Sequence, residues 1–146
     1  MVKIISGDIF ESKMQTITNA VNCVGVMGKG IALEFKRRFP TMFNDYVRKC
    51  AVSQVVVGQP YVFKRAFTPW ILNFPTKDHW RSRSRLPDIV AGLEYLKQHC
   101  AEWEITSLAV PALGCGYGQL EWDDIKLILR KHLDKLKIDV ELYMPQ

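Results

Sequence analysis

Apolar residues recur along this chain with two alternating periods, and this alternation limits the available folds more than any other feature. Short runs rich in β-branched and aromatic residues, typical of buried strands, are separated by longer runs with the spacing of amphipathic helices. The predicted strands are Val2–Ser6, Thr16–Val21, Tyr61–Lys64, Trp70–Phe74, Ser107–Val110 and Val140–Met144. The predicted helices are Gly30–Phe39, Thr41–Cys50, Pro87–Cys100 and Trp122–Leu136. The pattern therefore predicts a layered α/β domain with a largely parallel or mixed sheet.

The size and composition of the chain are those of a soluble domain. With 146 residues it is long enough to bury one core, and we expect a single domain over residues 1–146. No apolar run approaches the roughly 18 residues of a membrane span. The apolar part of "MVKIISGDIF" is also too short for a secretory signal. The expected location is therefore the cytoplasm, with no membrane partner.

The cysteines and histidines show no metal-binding pattern. None of Cys23, Cys50, Cys100 and Cys115 belongs to a C-x-x-C motif, and no histidine pair has the spacing of zinc ligands. We expect reduced, structural cysteines, no metal site and no cofactor.

The segment "NCVGVMGKG" (residues 22–30) is rich in glycine but fits neither standard phosphate-binding motif. Cys23 stands where a P-loop needs its first glycine, and Gly30 stands where it needs serine or threonine. The glycines Gly25, Gly28 and Gly30 run as G-x-x-G-x-G, which also fails the dinucleotide fingerprint. The segment still feeds a predicted helix start near Ile31, where free backbone amides bind phosphate. A tight turn without a ligand explains the glycines equally well.

A second glycine-rich segment favours the binding interpretation. "PALGCGYG" (residues 111–118) also follows a predicted strand, as does "PTKDHWR" (residues 75–81). Loops at the carboxyl ends of strands in an open α/β sheet lie at one edge, where such sheets bind ligands. We therefore expect the three loops to form one cleft, in which two glycine loops bind a diphosphate through backbone amides. A single cleft makes a monomer the default expectation.

Four polar residues are candidates for contacts in this cleft. Asn19 and Asn22 suit hydrogen bonds to sugar hydroxyls, although asparagine is also common in turns. Asp8 suits an adenine amino group or a ribose hydroxyl, but an N-cap or turn role fits it as well. Lys77 follows a strand and a rigid Pro-Thr pair, so we expect it to point into the cleft as a nucleophile, an acid–base group or a phosphate anchor. The alternative for Lys77 is an ordinary surface lysine.

The basic residues of the chain concentrate in one loop. The formal net charge is +5, which favours an anionic partner only weakly. Lys77, Arg81, Arg83 and Arg85 lie within nine residues, with Asp78 as the one acid among them. An aromatic side chain among cations is typical of single-stranded nucleic-acid binding, and a solvated surface loop is the alternative. The predicted nucleic-acid contacts are His79, Trp80, Arg81, Arg83 and Arg85.

Three segments together resemble the macrodomain family. They are "NAVNCVGVMGKGIALEF", "NFPTKDHWRSRSR" and "PALGCGYGQLEW", and the likeness extends from "SGDIF" to "VELYMP". Within the family the chain is most similar to the DarG antitoxin branch, which is related to terminal ADP-ribose protein glycohydrolase. The resemblance implies a three-layer α/β/α sandwich around a mixed, roughly six-stranded sheet, and it implies that the cleft holds ADP-ribose.

The resemblance also assigns residues to parts of ADP-ribose. Asp8, Ile9 and Tyr143 would contact the adenine, residues 20–22 the distal ribose, and the two glycine loops the diphosphate and distal ribose. The implied ADP-ribose contacts are Asp8, Ile9, Asn19, Ala20, Val21, Asn22, Met27, Gly28, Lys29, Gly30, Ile31, Ala32, Thr76, Leu113, Gly114, Cys115, Gly116, Tyr117, Gly118 and Tyr143.

The same resemblance implies a chemistry. Lys77 matches the lysine that cleaves the glycosidic bond in this branch, and Asn22 matches an asparagine that supports it. An aspartate that serves protein esters in related enzymes is replaced here by Gly118, so the implied substrate is ADP-ribosylated, single-stranded DNA. The alternatives are a hydrolase of ADP-ribosyl-glutamate or O-acetyl-ADP-ribose, a non-catalytic ADP-ribose reader and a plain nucleic-acid-binding module. A DarT-type toxin is the implied protein partner, although the region that contacts it in the family lies beyond the macrodomain.

Overall fold

The computed structural model describes residues 1–146 and contains six strands and four α-helices. The strands are β1 (Val2–Ile5), β2 (Thr16–Val21), β3 (Tyr61–Phe63), β4 (Trp70–Pro75), β5 (Ser107–Val110) and β6 (Asp139–Tyr143). The helices are α1 (Gly30–Arg38), α2 (Pro40–Ala51), α3 (Leu86–His99) and α4 (Trp122–Asp134). Every predicted element is present, so the alternating periods of the sequence identified the secondary structure correctly.

The six strands form one mixed sheet in the order β1-β6-β5-β2-β4-β3. All neighbours pair in parallel except β3, which is antiparallel to β4 at one edge. The carboxyl ends of the five parallel strands therefore lie along the same edge of the sheet. The longest strands, β2 and β4, are neighbours, and both are almost entirely buried.

Two apolar cores lie on opposite faces of the sheet. The core under α3 and α4 includes Leu72 and Leu108, whereas the core under α1 and α2 includes Ile71 and Ala109. Consecutive residues of a strand point to opposite faces, so each of β4 and β5 supplies both cores. The three-layer α/β/α sandwich and its mixed sheet are confirmed.

Small differences in element boundaries have local causes. β6 begins at Asp139, one residue before the predicted apolar run, because Asp139 is in register with Ser107 of β5. Phe39 separates α1 from α2, and its backbone amide still donates to the Phe35 carbonyl. Pro40 opens α2 at a position where its missing amide costs no hydrogen bond.

Two structural absences are plain. No helix has the length and apolar character that crossing a bilayer requires. No group of three or more histidine, cysteine or acidic side chains is arranged to hold a metal ion.

Candidate active site

A cleft of about 590 Å³ opens at the carboxyl edge of the sheet. Three segments line it: residues 20–32, from the end of β2 into the start of α1, residues 76–84 after β4 and residues 111–119 after β5. This volume lies in the range of about 300–1,000 Å³ that small-molecule sites occupy. The structure brings together these predicted residues: Ala20, Val21, Asn22, Gly28, Lys29, Ile31, Ala32, Thr76, Lys77, Trp80, Arg81, Gly114, Cys115, Tyr117 and Gly118.

Several predicted residues lie outside this lining. Met27 and Leu113 are buried in the two opposite cores, and Asn19 is fully buried. The Asn19 amide nitrogen donates to the Asn73 Oδ1 atom at 3.3 Å beneath the first glycine loop. Gly30 and Gly116 belong to the two glycine loops, but neither contributes to the lining. His79, Arg83 and Arg85 lie outside the cleft as well.

The three residues predicted for adenine lie beside the cleft, at the ends of β1 and β6. Asp8 is exposed, and its Oδ1 atom accepts from the Phe10 amide at 2.9 Å, which caps a short 3-10 turn. Ile9 and Tyr143 are buried in the core under α1 and α2. The hydrogen bond within the turn uses only the Oδ1 atom of Asp8, so its Oδ2 atom has no protein partner.

The first glycine loop ends in a helix start suited to anions. Lys29 precedes α1 without capping it through its side chain, and the first turn of α1 contains no acidic residue. Gly30 has a φ of +57°, and a Cβ atom there would lie 3.2 Å from the Tyr117 ring. Free amides and the positive end of the helix dipole therefore lie at the cleft wall, where they favour a bound anion.

The side chain of Asn22 shapes the first loop from within. Its Oδ1 atom accepts from the Val24 amide at 3.0 Å and from the Tyr46 hydroxyl at 2.8 Å. Its Nδ2 atom donates to the Val26 carbonyl at 2.8 Å. Asn22 lines the cleft, but these bonds make it the centre of the turn that follows β2.

Lys77 holds its amine in the cleft between two loops. Its Nζ atom donates to the Trp80 carbonyl at 3.1 Å and to the Tyr117 carbonyl at 3.2 Å. Burial lowers the pKa of Lys77 below its ordinary value of 10.5 because desolvation disfavours the charged form. No carboxylate and no histidine lines the cleft, and Lys77 makes no ion pair.

Backbone hydrogen bonds tie the three loops to one another. The Cys23 amide donates to the Asp78 carbonyl at 2.9 Å, and the Thr76 amide donates to the Val21 carbonyl at 3.0 Å. The Ser84 amide donates to the Gly118 carbonyl at 2.9 Å. The cleft is therefore framed by main-chain contacts between loops that are far apart in sequence.

The basic loop, residues 77–85, places arginines in both of the cavities that Lys77 lines. Trp80 is 42% exposed at the cleft, with the Arg81 guanidinium 4.6 Å from its ring centroid. Arg83 and Arg85 line a second cavity of about 570 Å³, which also contains Lys77. None of the three arginines makes an ion pair. Their charges are consequently free to bind an external anion.

A family model described as Macro domain matches residues 18–129. The chain belongs to the macrodomain family. A curated relative from Thermosipho africanus, a DNA ADP-ribosyl transferase–DNA ADP-ribosyl glycohydrolase fusion protein, is 39% identical over 99% of the chain. The chain spans 42% of the length of that relative.

Two solved structures share this macrodomain fold closely. The macrodomain of Mycobacterium tuberculosis DarG is 43% identical, with a TM-score of 0.95 over 100% of this chain and 99% of the other. Thermosipho africanus DarTG in complex with ADP-ribose is 41% identical, with a TM-score of 0.93 over 99% of this chain and 41% of the other. The predicted similarity to DarG-type macrodomains is thus confirmed.

Five residues of the macrodomain cleft were not predicted from the sequence: Val26, Ser84, Pro111, Ala112 and Gln119. Pro111 and Ala112 directly follow β5, so the predicted end of this strand was enough to place them at the carboxyl edge of the sheet. Ser84 had no such indication, because it reaches the cleft only when its loop folds back onto Gly118.

Proposed function

We propose that this macrodomain binds ADP-ribose and removes it from ADP-ribosylated, single-stranded DNA, with Lys77 as the catalytic residue. The observation that carries the proposal is the Lys77 amine, which lies in a cleft that contains no carboxylate and no histidine. The name of the Thermosipho africanus relative, 39% identical over 99% of the chain, supports the same activity.

The two glycine loops are suited to the diphosphate of ADP-ribose. Lys29, Ile31 and Ala32 line the cleft at the uncapped start of α1, and residues 111–119 form the opposite wall. A diphosphate between them would accept from backbone amides on both sides. The DarTG structure with bound ADP-ribose, at 41% identity, supports this choice of ligand.

The chemistry follows from the position and the pKa of Lys77. Cleavage breaks the bond between C1″ of the distal ribose and a thymine nitrogen, which leaves positive charge on the sugar and negative charge on the base. A lowered pKa increases the neutral fraction of the amine, which then attacks C1″ and displaces the base. The proton lost from the attacking nitrogen neutralises the base, and water hydrolyses the covalent adduct to ADP-ribose and the regenerated Lys77 side chain. In a second route, protonated Lys77 stabilises the departing base while water attacks C1″ to give ADP-ribose, and the proton that this water loses goes to the base.

The basic loop is suited to the DNA strand that carries the modification. Trp80 offers an exposed ring on which a neighbouring base can stack, and stacking of this kind tolerates any sequence. The unpaired Arg81, Arg83 and Arg85 are suited to the phosphates, with His79 packed beside Trp80 at 5.2 Å between ring centroids. The strand would then cross the mouth of the cleft above Lys77.

The fusion of both activities in the Thermosipho africanus relative makes a DarT-type DNA ADP-ribosyl transferase the proposed protein partner. Removal of ADP-ribose from DNA reverses the reaction that such a transferase catalyses. We further propose that residues 1–146 act as a single, monomeric domain, because one cleft contains all of the proposed machinery.

The decisive experiment compares turnover of two substrates, a thymidine-ADP-ribosylated single-stranded oligonucleotide and a glutamate-ADP-ribosylated protein. The wild-type protein is expected to release ADP-ribose from the DNA only. Lys77→Ala is expected to lower kcat at least about 100-fold while free ADP-ribose still binds. Lys131→Ala, on the exposed side of α4, is the matched control and should retain full turnover.

Other outcomes would overturn parts of the proposal. Release from the protein alone would identify an ester hydrolase despite the glycine at position 118. Binding of ADP-ribose without turnover of either substrate would identify a reader. Full turnover by Lys77→Ala would remove Lys77 from the mechanism.

A further inference from the structure

Gly118 stands in the cleft wall for a different reason from the glycines before it. Gly114 and Gly116 have φ values of +80° and +67°, a backbone conformation that favours glycine. Gly118 lies outside that region, so its backbone would accept any L-residue. Something other than backbone conformation therefore excludes a side chain at position 118.

Ser84 is the group that excludes it. A Cβ atom built on Gly118 would lie 2.5 Å from the Ser84 Oγ atom and 3.0 Å from its Cβ atom. The two backbones are held this close because the Ser84 amide donates to the Gly118 carbonyl at 2.9 Å. Both residues are buried, and both line the cleft.

The contribution of Ser84 in this position is its volume. Its Oγ atom is buried and makes no hydrogen bond to another protein group. The side chain also packs on the second loop at Gly114, where a Cβ atom would lie 3.4 Å from the Ser84 Cβ atom. Ser84 thus fills the space above two glycines without forming a side-chain hydrogen bond.

This contact is linked directly to Lys77. Tyr117, the residue before Gly118, provides one of the two carbonyls that accept from the Lys77 amine, at 3.2 Å. Lys77 and Ser84 lie near the two ends of the same loop, residues 76–84. A change in the separation of Ser84 and Gly118 would therefore move the Tyr117 carbonyl relative to the amine.

We infer that Ser84 is a positioning residue: its side chain packs on Gly118, holds the Tyr117 carbonyl against the Lys77 amine and keeps every side chain off the cleft wall at position 118. This inference rests on the proposed role of Lys77. It explains the glycine at a position that needs none for its backbone.

The test is a double-mutant cycle with wild type, Gly118→Ala, Ser84→Gly and the combination of both. The first readout is the pKa of Lys77, measured by NMR titration of protein that contains ¹³C-labelled lysine. The Lys77 resonance is identified by its absence from the spectrum of Lys77→Arg. None of the four proteins changes the charged or titratable side chains that share the two cavities with Lys77, so a shift in its pKa reports the contact between Ser84 and Gly118. These side chains are Lys29, Asp78, Arg81, Arg83, Arg85, Asp88, Cys115 and Tyr117. The second readout is kcat and KM on the ADP-ribosylated oligonucleotide.

We expect Gly118→Ala to separate the loops, expose the amine and raise the Lys77 pKa toward 10.5. The expected loss in kcat is about 10- to 100-fold, because small displacements of a reacting group are costly, with a smaller effect on KM. In the Ser84→Gly background the same substitution has room, so the pKa and most of kcat should return toward their wild-type values. A thermal melt of each variant confirms that it is folded.

An equal effect of Gly118→Ala in both backgrounds, or a Lys77 pKa that does not move, would overturn the inference. If Gly118→Ala does not fold, Ser84→Gly alone decides, because it removes the packing without adding an atom and should still raise the Lys77 pKa. The NMR titration needs no turnover. A wild-type protein that releases no ADP-ribose but shows the coupled pKa shifts would refute the proposed function and leave the positioning role intact.

Discussion

Lys77 lies where two loops meet, and its amine is held by main-chain oxygens rather than by acidic side chains. A carboxylate partner would raise its pKa, whereas burial alone lowers it. Burial also shifts the pKa of the Cys23 thiol, in the opposite direction. We therefore expect the chemistry of each residue to depend on pH in a defined direction.

If neutral Lys77 is the nucleophile, kcat should rise with pH and level off below pH 10.5, since the amine loses its proton at a lowered pKa. The profile is measured on ADP-ribosylated oligonucleotide under saturating conditions. A rate that instead falls as Lys77 loses its proton would favour electrostatic stabilisation of the departing base. Lys77→Arg distinguishes the two routes again, because guanidinium keeps its charge but is a poor nucleophile.

Cys23 should react slowly with thiol reagents. Desolvation by burial is the main cause that raises its pKa from 9.0 to about 11, so its thiolate is scarce near neutral pH. We expect alkylation at pH 8 to be about 100-fold slower than for a free cysteine of unperturbed pKa. The folded protein keeps this proton longer than the unfolded chain, so the associated stability is present below pH 9 and lost as pH rises toward 11.

The alkylation rate is measured by mass spectrometry of the Cys23 peptide, with Cys23→Ser as the control for peptide assignment. Fast modification at pH 8 would contradict the burial of this thiol in the native state.

Among the elements, the turn between β2 and α1 depends on a single side chain. Asn22→Ala removes the acceptor for the Val24 amide, one of the two acceptors of the Tyr46 hydroxyl and the donor to the Val26 carbonyl. We expect a loss of about 1–3 kcal/mol in the free energy of unfolding and weaker ADP-ribose binding. Denaturant titration and calorimetry measure the two effects.

Asn22→Asp keeps the acceptor oxygen but places a second, negatively charged oxygen opposite the Val26 carbonyl at a buried position, so it should be no less destabilising than Asn22→Ala. Asn44→Ala, on the exposed side of α2, is the neutral control. Equal stability of Asn22→Ala and wild type would show that the loop is organised by its backbone alone.

The packing of α3 on β4 gives a prediction of unusual sign. Glycine to alanine inside a helix normally stabilises by about 1 kcal/mol. A Cβ atom on Gly92 would, however, lie 2.4 Å from the Phe74 ring. We expect Gly92→Ala to destabilise the fold by about 1–3 kcal/mol, measured as a lower denaturant midpoint. Phe74→Leu should relieve the clash and make the same substitution less harmful; an unchanged penalty would locate the strain elsewhere.

At the scale of the whole molecule, the chain has a net charge of +5, and three of its arginines lie beside the cleft without an ion-pair partner. When a substitution removes the cation that binds one phosphate, the slope of log affinity against log salt should fall by about 0.7 for single-stranded DNA. Arg83→Ala and Arg85→Ala should each show this change, measured by fluorescence anisotropy of an unmodified oligonucleotide. Arg130→Ala, exposed on α4, should show no change; an equal effect there would indicate a diffuse charge interaction.

The sequence was sufficient for the fold and for the location of the cleft, but it was insufficient for the contacts within the cleft. Strands and helices follow from apolar periodicity, and parallel strands fix the edge at which their loops meet. Which atoms face the cavity depends on how loops pack on one another, which periodicity does not encode. Asn19 was predicted to contact the ligand but is buried below the cleft. Ser84 was not predicted but lines the cleft through its contact with Gly118.

The main-chain bonds between the three loops have a consequence for how this site can change. Cys23, Thr76 and Ser84 anchor the frame through their amides, which nearly every amino acid possesses. Apart from Asn22 and Ser84, whose side chains themselves hold the loops, side chains around the mouth can therefore be exchanged without loosening the frame that holds them. Directed evolution for a different modified base or a different leaving group should consequently find many folded variants at the mouth, while the few positions that need a glycine tolerate almost none.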